Sequence, residues 1–338
     1  MAIALIATAV FGVSAAQAQT AAGRVDLAES IREVATTLAP VNGPERPTIA
    51  RATLRAQESA TPMEFAVALR MRNFAELQAR IGHGERVGPA EMAEKFLPLA
   101  TDYDAAAAWL EGQGLTVTRR DSSRLAVFVR GTVEQVRRTF QVTFARVRFR
   151  GEEHTSALTA PSVPAEIAPA ILGINGLQPH LHPQAHTRRL QPNPNSTTGN
   201  VAPFLPSQIA KAYNALPSNL GFDGTGQTIG VVIDTFPLDS DLTAFWALCG
   251  VPQSLNNIQK IAVVSGVTQT ANAEASLDVE WSSSIAPGAK VRIYGTSNLS
   301  FANLDQAYAQ IYNDVVSGVA PTLHQLSLSY GLGEIYST

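Results

Sequence analysis

Hydrophobic and polar positions change rhythm several times along this chain, and the changes divide it. Residues 2–15 are an almost unbroken apolar run, followed by the small-x-small sequence Ala16-Gln17-Ala18 of a signal-peptidase site. The run is shorter than the roughly 20 residues that cross a bilayer. A cleaved export signal over residues 1–18 is therefore expected, with a secreted or periplasmic product and no membrane attachment after its removal. Residues 19–50 are small, polar and Pro-containing, the pattern of a flexible lead-in.

From Met63 to Leu69 alternate residues are apolar, as in a half-buried strand, and Phe74, Leu77 and Ile81 then recur at helical spacing. Helices are predicted over Ala90–Leu97 and Tyr103–Gln113, the second stopped by Gly114. Leu115–Arg119 and Arg124–Arg130 read as two strands about the polar turn Asp121-Ser122-Ser123. Thr132 stands at the N-cap of a helix over Val133–Phe140, and Val142–Phe149 alternates again. Strands bracketing helices in this order predict an α+β domain with an antiparallel sheet, over residues 51–178. The stretch that follows, rich in Pro, His and polar turn residues and containing Arg188-Arg189, predicts a linker over 179–204 open to cleavage.

Beyond the linker the rhythm is that of a parallel sheet covered by helices. Predicted strands at Thr228–Asp234, Ile261–Ser265, Lys290–Tyr294 and Gln325–Ser329 alternate with helices at Leu238–Leu248, Ala273–Ser284 and Phe301–Ser317.

Composition narrows the classes. The net charge of −3 conceals an asymmetry: residues 1–200 carry 21 Lys+Arg and 18 Asp+Glu, residues 201–338 carry 4 and 10. The two parts can attract at neutral pH, and acid, by charging His180, His182 and His186, is expected to loosen that docking. Arginines are scattered rather than clustered with aromatics, which argues against nucleic acid. Cys249 is the one cysteine, so no internal disulfide can form, and no Cys/His spacing suits zinc.

Candidate chemistry follows from the placement of carboxyls. Functional groups of a parallel sheet gather beyond the carboxyl ends of its strands, where Asp234 stands, although the same residue suits a turn before Pro237. Glu274 and Asp278 lie four apart on one predicted helix face. Paired carboxyls that share a proton suit acid–base work, whereas a solvated face gives the same spacing; the small and apolar neighbours Ala273, Ala275, Ser276 and Leu277 favour the former. Gly295-Thr296-Ser297 is read as a strand-to-helix loop with a capping serine. His324 lies at a strand entrance with no partner motif, so a histidine-based triad is not expected.

These residues resemble the sedolisin, or serine-carboxyl peptidase, family, which includes kumamolisins and tripeptidyl peptidases. Residues 62–178 resemble its activation propeptide, notably through Tyr103–Gly114 with Ala-Ala-Trp-Leu and through Val163-Pro164-Ala165-Glu166-Ile167. From Leu205 onward the resemblance is to the start of the catalytic domain: Ala212-Tyr213-Asn214, Gly224 to Asp234, Glu274-Ala-Ser-Leu-Asp278-Val-Glu280 with Ala286-Pro287-Gly288-Ala289, and Leu326-Ser327-Leu328-Ser329-Tyr330-Gly331. The resemblance implies a ferredoxin-like propeptide ahead of an incomplete subtilisin-like α/β domain over 205–338. It makes Glu274 the general base toward a serine nucleophile, Asp278 its orienter and Asp234 a carboxyl behind them. Leu328, Ser329, Tyr330 and Gly331 become the strand that binds peptide or protein substrates, and the propeptide an intramolecular inhibitor. Tyr330 stands where many members have tryptophan. The family's oxyanion aspartate, nucleophilic serine and calcium loop follow later than Thr338, so calcium ligands are not expected here and this chain is expected to be inactive as it stands. The alternatives are a non-enzyme whose propeptide inhibits or chaperones relatives, and a binding module on an α/β scaffold.

Overall fold

The computed structural model describes residues 19–20, 23–34, 46–184, 204–215 and 222–332. The expected signal segment, and the linker from 185 to 203 with His186 and the dibasic pair, lie outside the described residues. The chain divides into two compact units, the first built mainly of residues up to His182 and the second mainly of residues from Pro183 onward.

Strands of the first unit are β1 (Gln19–Thr20), β2 (Arg24–Asp26), β3 (Thr48–Arg51), β4 (Pro62–Leu69), β5 (Thr116–Arg120), β6 (Ala126–Thr132), β7 (Phe144–Phe149), β8 (Glu152–Ala157), β9 (Ser162–Pro164) and β10 (Ile171–Asn175). Four of them form an antiparallel sheet in the order β10-β4-β6-β5, and two smaller sheets run β3-β7-β8 and β1-β2-β9. The mixed architecture of antiparallel sheet and helices matches the pattern read from the sequence. Part of the expected lead-in is not loose: β2 pairs with β9 and β3 with β7. Val25 and Leu27 are the reason, since both are buried in the first unit's core although the surrounding composition is polar.

The helices α1 (Phe74–Gly82), α2 (Ala100–Gly112) and α3 (Val133–Phe140) form where the periodicity placed them. Gly114 has φ +79°, the left-handed conformation that ends α2. Thr132 caps α3 reciprocally with Gln135: the Thr132 hydroxyl accepts from Gln135 N at 3.2 Å, and Gln135 Oε1 accepts from Thr132 N at 2.8 Å. Phe140, at the end of α3, meets Phe65 and Trp109 edge-on at 5.6 and 5.7 Å. That contact ties both helices to the central strand β4. The predicted helix at Ala90–Leu97 is a single α-turn continued by a wide π-turn over Met92–Phe96. Arg72 stabilises the irregular turn by donating to the carbonyls of Leu97 at 2.6 Å and Ala93 at 3.1 Å.

Elements of the second unit are α4 (Pro206–Ala212), β11 (Thr228–Ile233), α5 (Asp239–Cys249), β12 (Ile258–Ala262), α6 (Ala273–Ile285), β13 (Lys290–Gly295), α7 (Phe301–Val316) and β14 (Leu323–Leu328). The strands are parallel in the order β12-β13-β11-β14. Val231, Val232 and Ile233 of β11 and Val291, Ile293 and Tyr294 of β13 are fully buried, which explains the apolar run that ends β11 and the apolar residues about Arg292 in β13. Trp246, Ala275 and Val279 carry α5 and α6 onto the sheet. Gly295 must remain glycine, because an added Cβ would lie 2.6 Å from Val267 and 2.8 Å from the Phe236 ring.

Candidate active site

The site stands at the carboxyl ends of β11 and β14, beside the first turns of α6. Hydrogen bonds fix the loop that leads into α6 to the end of β11. Thr235 donates through its hydroxyl to Thr268 O at 2.7 Å, Phe236 N donates to the same carbonyl at 2.8 Å, and Thr270 N donates to Phe236 O at 3.0 Å. Asn272 caps the helix, its Oδ1 accepting from Glu274 N at 2.9 Å and Ala275 N at 3.1 Å. Asp234 and the start of α6 are thus held by one piece of backbone.

Glu274 and Asp278 are both buried, 7% and 9% exposed. This decides against the solvated-face reading of their spacing. Glu274 occupies the first turn of α6, where the positive end of the helix dipole favours a carboxylate. Burial raises the Asp278 pKa, partly offset by a hydrogen bond from the Ser329 hydroxyl to Oδ1 at 2.7 Å. Its other oxygen, Oδ2, is buried without a hydrogen-bond partner among the described residues. Asp234 shares this condition: burial raises its pKa, and its Oδ1 is buried without such a partner. Two carboxyls with raised pKa values thus lie at neighbouring sheet and helix ends, and groups of this kind hold and transfer protons in mildly acidic solution.

Residues 328–331 run out from the end of β14. Ser329 is brought onto Asp278, and the Tyr330 hydroxyl is hydrogen-bonded to that of Tyr308 on α7. Leu328 is 38% exposed, as a strand that receives a ligand requires. Gly331 is already paired: its N donates to Gln184 O at 3.0 Å and its O accepts from Gln184 N at 2.9 Å. A segment of this same chain therefore makes an antiparallel bridge on the strand expected to take substrate backbone.

Three further groups take structural positions. Thr296 is buried and donates from its amide and hydroxyl to Ile233 O, at 2.9 and 3.2 Å. The serine whose hydroxyl receives a first-turn amide of α7 is Ser300, from Asn303 N at 3.4 Å, so the capping serine is not Ser297. His324 is exposed on β14. Sequence reasoning overlooked Glu280, whose pKa is pushed up to about 7 by burial and then by Asp241. Its signal was present in the apolar and small residues around it on α6.

A folded leading unit is followed by a parallel-sheet unit that carries buried carboxyls. Residues 52–180 match the family model of the pro-kumamolisin activation domain. Over 309 residues the chain is 26% identical to xanthomonalisin of Xanthomonas sp. (strain T-22), covering 83% of this chain and 37% of that protein. Kumamolisin of Bacillus sp. (strain MN-32) is 25% identical over 292 residues, 80% of this chain and 50% of that protein. The chain is thus similar along most of its length to two peptidases, and residues 52–180 carry the match to a peptidase activation domain. It spans about a third to a half of the length of the curated relatives it matches.

Proposed function

We propose that the chain is part of the precursor of a secreted, acid-acting serine-type endopeptidase, with Glu274 as general base and Asp278 as the residue that orients it. The burial of both carboxyls on one turn-spaced face of α6 carries this reading, because ionised carboxyls four residues apart repel and are kept out of water only where the pair has a use. A carboxyl base works where it can share a proton, which places the pH optimum on the acid side. Asp234, at the end of β11, supports Asp278 from behind. Leu328, Ser329, Tyr330 and Gly331 receive the substrate backbone by strand addition.

The strand order β10-β4-β6-β5 supports a ferredoxin-like activation domain, and the all-parallel β12-β13-β11-β14 sheet supports a subtilisin-like second domain. Intramolecular inhibition is favoured by one observation, the Gln184–Gly331 bridge, which occupies the substrate strand with the chain's own backbone. No helix of the described residues is long and apolar enough to cross a membrane. Among the described residues no group of three or more His, Cys, Asp or Glu is placed to hold a metal ion.

The test is an assay of the product of the whole open reading frame on a denatured protein substrate from pH 3 to pH 8. Cleavage peaking below about pH 5 and lost by more than a thousandfold in Glu274→Gln is expected. A neutral or alkaline optimum, or full activity in that variant, would refute the assignment.

A further inference from the structure

His180 is the last residue of the matched activation domain and one of the most deeply buried polar groups in the first unit, 1% exposed. Its Nδ1 shares a hydrogen bond with the Ser156 hydroxyl of β8 at 2.8 Å. The Phe149 ring of β7 stands edge-on to the imidazole at 6.3 Å. Nε2 is buried without a hydrogen-bond partner among the described residues. A neutral imidazole tolerates this surrounding, since only one nitrogen then carries a proton. An imidazolium must donate from both, and Nε2 has no acceptor.

The residues before and after His180 show what it fastens. Upstream, Leu177 O accepts from Ala157 N at 2.9 Å, and Gln178 Nε2 donates to Arg32 O at 2.8 Å and Ala157 O at 2.9 Å. Downstream, His182 Nδ1 meets the Pro179 carbonyl, at 3.1 Å, within the same segment. His180 is therefore the side chain that hydrogen-bonds residues 180–182 to β8 as the chain leaves the activation domain.

We propose that His180 is an acid-operated latch: neutral, it holds residues 180–182 against β7 and β8, and protonated, it leaves its pocket and frees that segment for cleavage. This differs from the docking role expected from charge, because the side chain lies inside the first unit's core. The groups around the ring reinforce the switch. His154 on β8 and His182 on its own segment act on it, and both oppose its protonation. Of the charged residues on the packing strands, Arg146 and Arg148 pair with Glu153 at 3.7 and 2.7 Å, and Glu152 pairs with His154 at 3.4 Å. Arg150 lies over the Phe149 ring at 5.0 Å. None of these carboxylates bonds the His180 ring.

Burial lowers the His180 pKa to about 4. The released segment carries an ordinary histidine near 6.5. Between these values the open state binds a proton that the closed state refuses, so closure is complete above pH 6.5 and weakens down to pH 4, on the order of a hundredfold in population.

Hydrogen exchange of the full chain, corrected for intrinsic rates and followed in peptides spanning 176–184, tests the latch without any peptidase activity. The wild type is expected to expose this segment roughly a hundredfold more at pH 4 than at pH 7, and His180→Asn to reduce that ratio to a few-fold. An unchanged ratio in the variant overturns the proposal. Should the variant not fold, NMR titration of the wild-type imidazole, assigned through its contact with Phe149, decides alone. A pKa well below 6 supports the latch, and one at or above 6.5 overturns it.

Discussion

The Ser329 hydroxyl donates to Oδ1 of Asp278 at 2.7 Å, joining the end of β14 to the second turn of α6 across 51 residues of sequence. Asp278 is otherwise raised in pKa by burial, so the bond holds down a carboxylate that would more readily take a proton. Ser329→Ala should raise the Asp278 pKa further and destabilise the second unit by about 1–3 kcal/mol at pH 7. The penalty should shrink as pH falls through the raised pKa, because a protonated carboxyl no longer loses a charge-assisted bond. Denaturant titrations of both proteins at pH 7 and pH 4 check this. A penalty independent of pH would show that the hydroxyl acts by packing alone.

Glu280 offers the opposite case, a carboxyl whose ionisation costs stability. Its folded pKa of about 7 exceeds the ordinary value, chiefly through burial and secondly through Asp241. Wild-type protein therefore gains stability as pH falls from 7 through 4.5, and below that value folded and unfolded forms become equally protonated. Glu280→Gln should be more stable than wild type by about 1 kcal/mol at pH 8, after allowance for the solvent screening of a half-exposed group, and indistinguishable from it at pH 4. Thermal unfolding at the two pH values is the measurement. A variant less stable at pH 8 would show that ionised Glu280 has a favourable partner.

Most of the fold was legible because its causes are local. The capping box at Thr132, the stop at Gly114 and the buried run of β11 each write their own boundary in a few residues. The strands at β2 and β3 were missed because their partners lie about a hundred residues away or more, and pairing over such a distance leaves no mark in a polar stretch. The carboxyl pair was legible as a spacing, but whether it was solvated depended on burial that only the packed sheet supplies. Ser329 was named as part of the substrate strand, and its bond to Asp278 could not be read, since it depends on β14 ending beside α6. The Gln184–Gly331 bridge was invisible for the same reason.

One buried ion pair secures α7 to the sheet. Arg292 Nη2 meets Asp314 Oδ2 at 2.6 Å with side chains 11% and 7% exposed, and the same carboxyl accepts from Tyr294 Oη at 2.9 Å and Gln310 Nε2 at 2.8 Å. Asp314→Ala would strand a buried guanidinium and a buried phenol together. The expected loss is about 3–5 kcal/mol, enough to unfold the second unit near room temperature while leaving the first unit's helical signal. If that variant kept the wild-type unfolding midpoint, the network would contribute little.

The Gln184–Gly331 bridge gives the last prediction, and the most direct link from backbone to inhibition. Gln184 N donates to Gly331 O and Gln184 O accepts from Gly331 N, so one residue of the chain satisfies both backbone groups that a bound peptide would use. A proline at 184 has no N–H, and Pro183 before it already favours extended backbone. Gln184→Pro should lose one of the two bonds, about 1 kcal/mol, and leave β14 and the rest of the sheet unchanged. Exchange at Gly331 N should then quicken roughly fivefold, with the amides of β11 as internal controls. A short peptide offered in trans should bind residues 328–331 more tightly by a similar factor, since it displaces a weaker competitor. Quickened exchange without tighter binding would separate the two ideas: the bridge would be real, but the strand would not be where substrate lies.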